Sequence, residues 1–194
     1  LSGLTEQVQG FPPLPYVRDE LERINKIYSG KVLLNEDYQT SRLYQELDKT
    51  PYSIVHIASH GQFDRDPDQT FLLTHTDKLT MNQLEQIVGI GQYRDKPVEL
   101  LTLSACQTAA GDDRAALGLA GVAVKSGARS ALATLWFVND QATALLVSDF
   151  YQHLKDSSVS KAGALQQAQI NILSDRRYRH PGYWSPYLLI GNWL

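Results

Sequence analysis

The sequence predicts a three-layer α/β/α sandwich built on a mostly parallel central sheet, and two observations carry that expectation. The apolar runs over 53–58, 99–105 and 130–136 do not alternate with polar residues, which is the pattern of strands buried on both faces. Before, between and after them lie stretches with apolar residues at three- and four-residue spacing, the pattern of helices laid over a sheet. At 194 residues, 43% hydrophobic and 20% charged, the chain suits one folded domain with at most a short extension.

The elements follow in order. Residues 1–15 hold Pro12, Pro13 and Pro15 with Gly3 and Gly10, and read as an extended lead-in or linker, so the domain proper is expected over 16–194. Val17, Leu21, Ile24, Ile27 and Tyr28 give a first helix stopped near Gly30. A short apolar run over 31–34 precedes a second helix over 40–47, with Leu43, Tyr44 and Leu47 on one face. The strand over 53–58 is bounded by Pro51 and by the Ser59-His60-Gly61 turn. Residues 71–74 and 78–80 flank Thr76-Asp77 like a hairpin, and a helix over 81–88 follows, capped by Thr80 and ended by Gly89 and Gly91. The strand over 99–105 leaves Cys106 at its carboxyl end, before a polar loop over 111–114. A small-residue helix over 117–126, stopped by Gly127, leads to the strand over 130–136. Helices over 141–154 and 161–173 and a last short strand within 184–193 complete the pattern, with no internal repeat or low-complexity tract.

A net charge of −3 and a pI near 5.9 leave no basic surplus for a phosphate backbone, so no nucleic acid is expected as a partner. Arg176, Arg177, Arg179 and His180 form a short basic cluster without the interleaved aromatics of a single-strand platform, and read as solvated surface. No apolar run reaches the roughly 20 residues that span a bilayer and no charged-then-apolar leader opens the chain, so a soluble, cytoplasmic protein without a membrane partner is expected. A lone cysteine cannot form an internal disulfide or a thiolate metal site, which agrees with a reducing compartment. The first residue is Leu1 rather than methionine, so a piece of something longer is expected.

In open parallel sheets, reactive groups gather beyond the carboxyl ends of the strands. His60 and Cys106 both stand there. A thiol with a pKa near 8.5 is only slightly ionised at neutral pH, and amide cleavage needs a base beside it. A histidine supplies that base and later protonates the leaving amine, while the backbone N–H groups of Gly61 and Cys106 are placed by sequence to hold the oxyanion. The residues alone leave a second reading open, in which Cys106 is a small core filler and His60 a loop residue bonded to backbone.

Several phrases occur in the order found in the CHAT family, the caspase-like domain often found beside tetratricopeptide repeats. Leu14-Pro-Tyr-Val-Arg-Asp-Glu-Leu21 resembles its opening helix, His56-Ile-Ala-Ser-His-Gly61 its histidine motif and Leu103-Ser-Ala-Cys-Gln-Thr-Ala109 its cysteine motif. Leu117-Gly-Leu-Ala-Gly121, Ser126-Gly-Ala-Arg129, Leu135-Trp-Phe-Val-Asn-Asp140 and Tyr183-Trp-Ser-Pro-Tyr-Leu-Leu-Ile-Gly191 resemble the remainder. The resemblance runs from about Leu14 to the end. It implies a caspase-haemoglobinase fold and a cysteine endopeptidase with Cys106 as nucleophile and His60 as acid and base, acting on a protein or peptide substrate. It implies no metal or organic cofactor, and an upstream repeat domain in the same chain as a regulatory neighbour. The alternative from another class is a silent caspase-like module that binds a peptide without cutting it.

Specificity is read from the same resemblance. Ser104 stands where caspases place a glutamine two residues before the nucleophile. Asp140 lies in the stretch where separase-like enzymes hold a basic P1 side chain, although the start of a helix also favours an acid there. Trp136 is a candidate cleft wall or simply core. Asp112, Asp113 and Arg114 occupy the position of the caspase maturation loop, which is short here. Tyr183 and Trp184 read as packing, with a partner surface as the alternative.

Overall fold

The computed structural model describes residues 1–62, 69–90, 96–104, 121, 124–125, 127–135 and 138–194. The described strands are β1 (Ser2–Gly3), β2 (Leu33–Leu34), β3 (Ile54–Ala58), β4 (Gly61–Gln62), β5 (Phe71–Leu73), β6 (Lys78–Thr80), β7 (Leu100–Ser104), β8 (Ser130–Thr134) and β9 (Tyr187–Gly191). The described α-helices are α1 (Val17–Ile27), α2 (Thr40–Lys49), α3 (Met81–Gly89), α4 (Asp140–Leu154) and α5 (Lys161–Ser174).

Local sequence explains most of these boundaries. Thr80 and Gln83 close a reciprocal capping box at the start of α3, and the side chains of Asn139 and Ser160 accept from Ala142 and Gly163 N–H to start α4 and α5. Helix α1 has no side-chain cap of its own. The Tyr16 N–H instead donates to Asp140 Oδ2 at 2.9 Å, so the first turn of α4 supplies the missing acceptor.

Among the described residues six strands form one sheet in the order β2-β1-β3-β7-β8-β9, all parallel except β9, which runs antiparallel on β8 at the edge. A small antiparallel sheet, β4-β5-β6, stands beside it. Alternate residues of β3 and β7 face opposite layers, as the two-residue period requires. Val55, Ile57, Leu101 and Leu103 pack with Leu43 and Leu47 of α2, with Leu84, Ile87 and Val88 of α3, and with the hairpin. On the other face Leu100 and Leu132 pack with Ile24 of α1, Leu146 and Phe150 of α4 and Ala164 and Ala168 of α5. The sandwich therefore has the three layers expected. Among the described residues no helix is long and apolar enough to cross a membrane.

The extended lead-in expected over 1–15 is corrected by the structure. Ser2–Gly3 is an interior strand, paired in parallel with β2 on one side and β3 on the other, and Leu4, Val8 and Leu14 are buried. The physical reason is length: two residues of strand show no periodicity, while the prolines that suggested a linker begin only at Pro12. The helix expected over 117–126 and the polar loop over 111–114 lie largely or wholly outside the described residues.

Gly3 shows how tightly β1 is held. A Cβ there would stand 2.6 Å from Val17 Cγ1 and 2.8 Å from the Ala58 carbonyl oxygen, whereas at Gly30 the nearest such atom is 4.0 Å away. Gly3→Ala is expected to destabilise the fold by about 1–3 kcal/mol through overpacking, and Gly30→Ala to leave it nearly unchanged. Urea unfolding midpoints of the two variants check this, and equal midpoints would show that β1 is not an interior strand.

Candidate active site

The ladder between β3 and β7 runs in register from Ile54 opposite Leu100 to Ala58 opposite Ser104. His60 follows Ala58 by two residues, and Cys106 follows Ser104 by two in sequence. The turn after β3 is fixed by backbone bonds on both sides. Ser59 N–H donates to the Ser104 carbonyl at 3.2 Å, Leu73 N–H to the His60 carbonyl at 2.8 Å, and Ser59 Oγ to the Leu73 carbonyl at 2.6 Å. Gly61 then enters β4 opposite Leu72 and is buried.

The His60 ring is only 3% exposed. Its Nε2 lies 2.8 Å from the carbonyl oxygen of Pro12, and the Phe11 ring covers it at a centroid distance of 5.2 Å, itself edge-on to Phe71. A carbonyl can only accept, so the bond assigns the ring proton to Nε2 and leaves the Nδ1 lone pair as the base. Burial lowers the His60 pKa from its ordinary value, with the Pro12 bond pulling the other way. The ring therefore stays neutral at neutral pH, which is the form that accepts a proton.

Cys106 and Trp136 lie outside the described residues. Ser104 is 2% exposed, and its hydroxyl donates to Glu20 Oε1 at 2.7 Å on the α1 side of the sheet. It presents no polar atom to a ligand in this arrangement. Asp140 is half-buried; one carboxylate oxygen holds Tyr16 N–H and the other, Oδ1, is buried without a hydrogen-bond partner among the described residues. The cap of α4 is Asn139, so Asp140 acts there as a first-turn acid and as the acceptor for α1.

Sequence reasoning passed over a buried polar layer beneath this end of the sheet. Glu20 and His56 are both 0% exposed, and His56 Nε2 lies 2.9 Å from Glu20 Oε1, off the line of a directed hydrogen bond. Tyr151 of α4 donates to Thr102 Oγ1 at 2.7 Å and stands 3.4 Å from His56 Nδ1. The signal was present as two misfits. Glu20 interrupts the apolar face Val17, Leu21, Ile24 of α1, and His56 interrupts an apolar strand. Pro12 and Phe11 gave no comparable signal, since their contact with His60 spans 48 residues. A separate groove of about 550 Å³ between α1, α4 and α5 is lined by Arg23, Ile27, Leu145, Asp149 and Ile172, and none of its described lining residues belongs to this site.

A buried, carbonyl-anchored histidine at the end of a central parallel strand, beside the neighbouring strand that leads to the chain's cysteine, defines a caspase-like α/β sandwich. The CHAT domain model matches residues 4–192, and the chain belongs to that family. It is also similar to human Tetratricopeptide repeat protein 28, with 28% identity over 137 residues, covering 70% of this chain and 5% of that protein. The chain thus corresponds to a small part of that relative's length.

Burial raises the Asp140 pKa to about 6, the Tyr16 N–H lowers it and the Glu20 charge raises it further. Between pH 4 and 6 the unfolded carboxyl has lost its proton while the folded one retains it, so the folded state binds more protons and stability falls as pH rises. Asp140→Asn keeps an oxygen for Tyr16 and removes this term. It is expected to stabilise the protein by about 1 kcal/mol at pH 7.5, after discounting for solvent screening, and to lose that advantage below about pH 4. Thermal unfolding of both proteins across this range measures it; an advantage of the same size at pH 3.5 would refute the assignment.

Proposed function

We propose that this CHAT domain is a cysteine endopeptidase, with Cys106 as nucleophile and His60 as general base and then general acid. The observation that carries the reading is the His60 ring itself, buried, held through Nε2–H by Pro12 and left with Nδ1 as its proton acceptor, level with the strand end that leads to Cys106. In the reaction Nδ1 takes the thiol proton as sulfur attacks the scissile carbonyl. The Gly61 and Cys106 backbone N–H groups receive the oxyanion, and the imidazolium returns its proton to the leaving amine. Water, deprotonated by the same ring, then releases the acyl group.

The substrate is a protein or peptide. Asp140, with one buried oxygen lacking a hydrogen-bond partner among the described residues, and Trp136 are the residues proposed to face its P1 side chain, a basic one on the Asp140 reading. Ser104 is left out because its hydroxyl is bound to Glu20. A repeat domain in the same polypeptide is proposed to govern substrate access, a reading supported by the name of the human relative and by the small fraction of it that this chain spans.

The test is a thiol-reactive peptidyl probe series with varied P1, applied to the domain with and without its natural flanking region. Labelling of Cys106 that depends on P1 and falls at least 100-fold in His60→Ala is expected, in line with the usual contribution of a general base. The acid limb of the labelling rate should lie below pH 6.5, since burial lowers the His60 pKa. Folded protein without P1-dependent labelling in either form would identify the domain as a peptide-binding module that does not cut.

A further inference from the structure

Glu20 is the most deeply buried acid described, and the proposed chemistry makes no direct use of it. Its Oε1 accepts from Ser104 Oγ at 2.7 Å and lies 2.9 Å from His56 Nε2, while Oε2 has no hydrogen-bond partner among the described residues. Ser104 is the last residue of β7, two before Cys106. His56 is in β3, four before His60. One carboxylate oxygen therefore accepts from the last rung of β7 and lies against the middle rung of β3, where His56 stands opposite Thr102.

Stability does not account for such a group. Removing a carboxylate from water is expensive, and replacing buried ionic groups by well-packed apolar side chains of similar volume is often neutral or stabilising. Its surroundings offer limited compensation: among the described residues the charged or titratable groups facing it are His56 and Tyr151, with Asp140 near enough for the Glu20 charge to raise the Asp140 pKa. What Glu20 supplies is direction. The backbone ladder and the Ser59 N–H bond to the Ser104 carbonyl set the spacing of β3 and β7, and the Ser104 hydroxyl bond to Glu20 ties that same last rung to α1.

We infer that Glu20 is a positioning residue for the proposed thiol–imidazole pair, fixing the Ser104 end of β7, which leads to Cys106, relative to α1 and to the β3 strand that leads to His60. The inference rests on the peptidase reading, because it presumes that the two groups work together. Glu20 touches neither reacting group and acts through Ser104 and His56. Its loss keeps both reacting groups in the chain but frees the Ser104 end of β7 to shift, and a displacement on the order of 1 Å is enough to lower such a rate about 100-fold.

The experiment is alkylation of Cys106 by iodoacetamide, followed by intact mass, which is unambiguous because the chain has one cysteine. Rates are taken from pH 5 to 9 for the wild type, Glu20→Gln, Glu20→Met, Ser104→Ala and His60→Ala, with thermal unfolding of each. The wild type should show a reactive limb below the usual thiol pKa of about 8.5 that His60→Ala lacks. Glu20→Met leaves the buried Ser104 hydroxyl without its acceptor and should lower the unfolding midpoint while the protein stays folded, and it should react at least tenfold more slowly at pH 6, approaching the His60→Ala profile. Glu20→Gln, which keeps an acceptor for Ser104, should fall between. A merely structural Glu20 would move the midpoint and leave the pH profile of the folded protein unchanged, and that result overturns the positioning role while the dyad stands. A wild-type profile matching His60→Ala overturns both. If Glu20→Met does not fold, Ser104→Ala decides: a threefold or larger loss at pH 6 supports the role, and an unchanged limb refutes it.

Discussion

The five-rung parallel ladder between β3 and β7 is the constraint on which the rest of the molecule depends. Parallel neighbours cannot be joined by a tight turn, so the chain leaves β3, builds the β4-β5-β6 hairpin and α3 and returns to begin β7 beside Ile54. Because both strands run the same way, both chain exits fall at one edge of the sheet. The register then brings the turn that carries His60 level with Ser104, whose carbonyl accepts from Ser59 N–H. An antiparallel pairing of the same residues would have sent the two exits to opposite ends. The hairpin returns the restraint, since Leu73 N–H holds the His60 carbonyl and Ser59 Oγ holds Leu73.

The two faces of this ladder are stabilised by different physics. Toward α2 and α3 it presents Val55, Ile57, Leu101 and Leu103, a wholly apolar surface whose burial drives layer packing without directional demands. Toward α1 and α4 it presents His56, Thr102 and Ser104, whose partners Glu20 and Tyr151 come from those two helices. Polar groups in a dry interior are unfavourable unless paired, so this face tolerates few alternative arrangements. Helices α1 and α4 are further tied where Asp140 receives the Tyr16 N–H, one carboxylate lying at the start of both helices.

How much of this was legible depended on whether the signal was local. The strands over 53–58 and 99–105 were readable because burial on both faces writes itself as an unbroken apolar run, and α3 because Thr80 and Gln83 form a capping box within four residues. Strand β1 was not, because two residues carry no period and its place between β2 and β3 is set by partners about 30 and 55 positions away. For the candidate site, His60 was legible from its position after a strand. Its partner was not: a backbone carbonyl leaves no mark in the residue type, and nothing about Pro12 distinguishes it from Pro13 or Pro15. Glu20 and His56 lay between these cases. Each violates the apolar pattern of its own element, and two violations of opposite chemical character, one acid and one base, are what a buried pair looks like in sequence.

The first 20 residues connect these observations. The chain pairs as β1 in the interior of the sheet, passes Phe11 and Pro12 over the His60 ring, then turns into α1 and carries Glu20 beneath the opposite face of β3 and β7. One short segment thus contributes a strand, the acceptor that sets the histidine tautomer, the ring that covers it and the acid that contacts both β3 and β7. These contributions are covalently linked, so they are gained or lost together. Gly3, wedged against Val17 and the Ala58 carbonyl, fixes where that segment starts relative to α1 and β3. The geometry around His60 is accordingly a property of the folded amino-terminal segment as much as of the sheet edge on which the histidine sits.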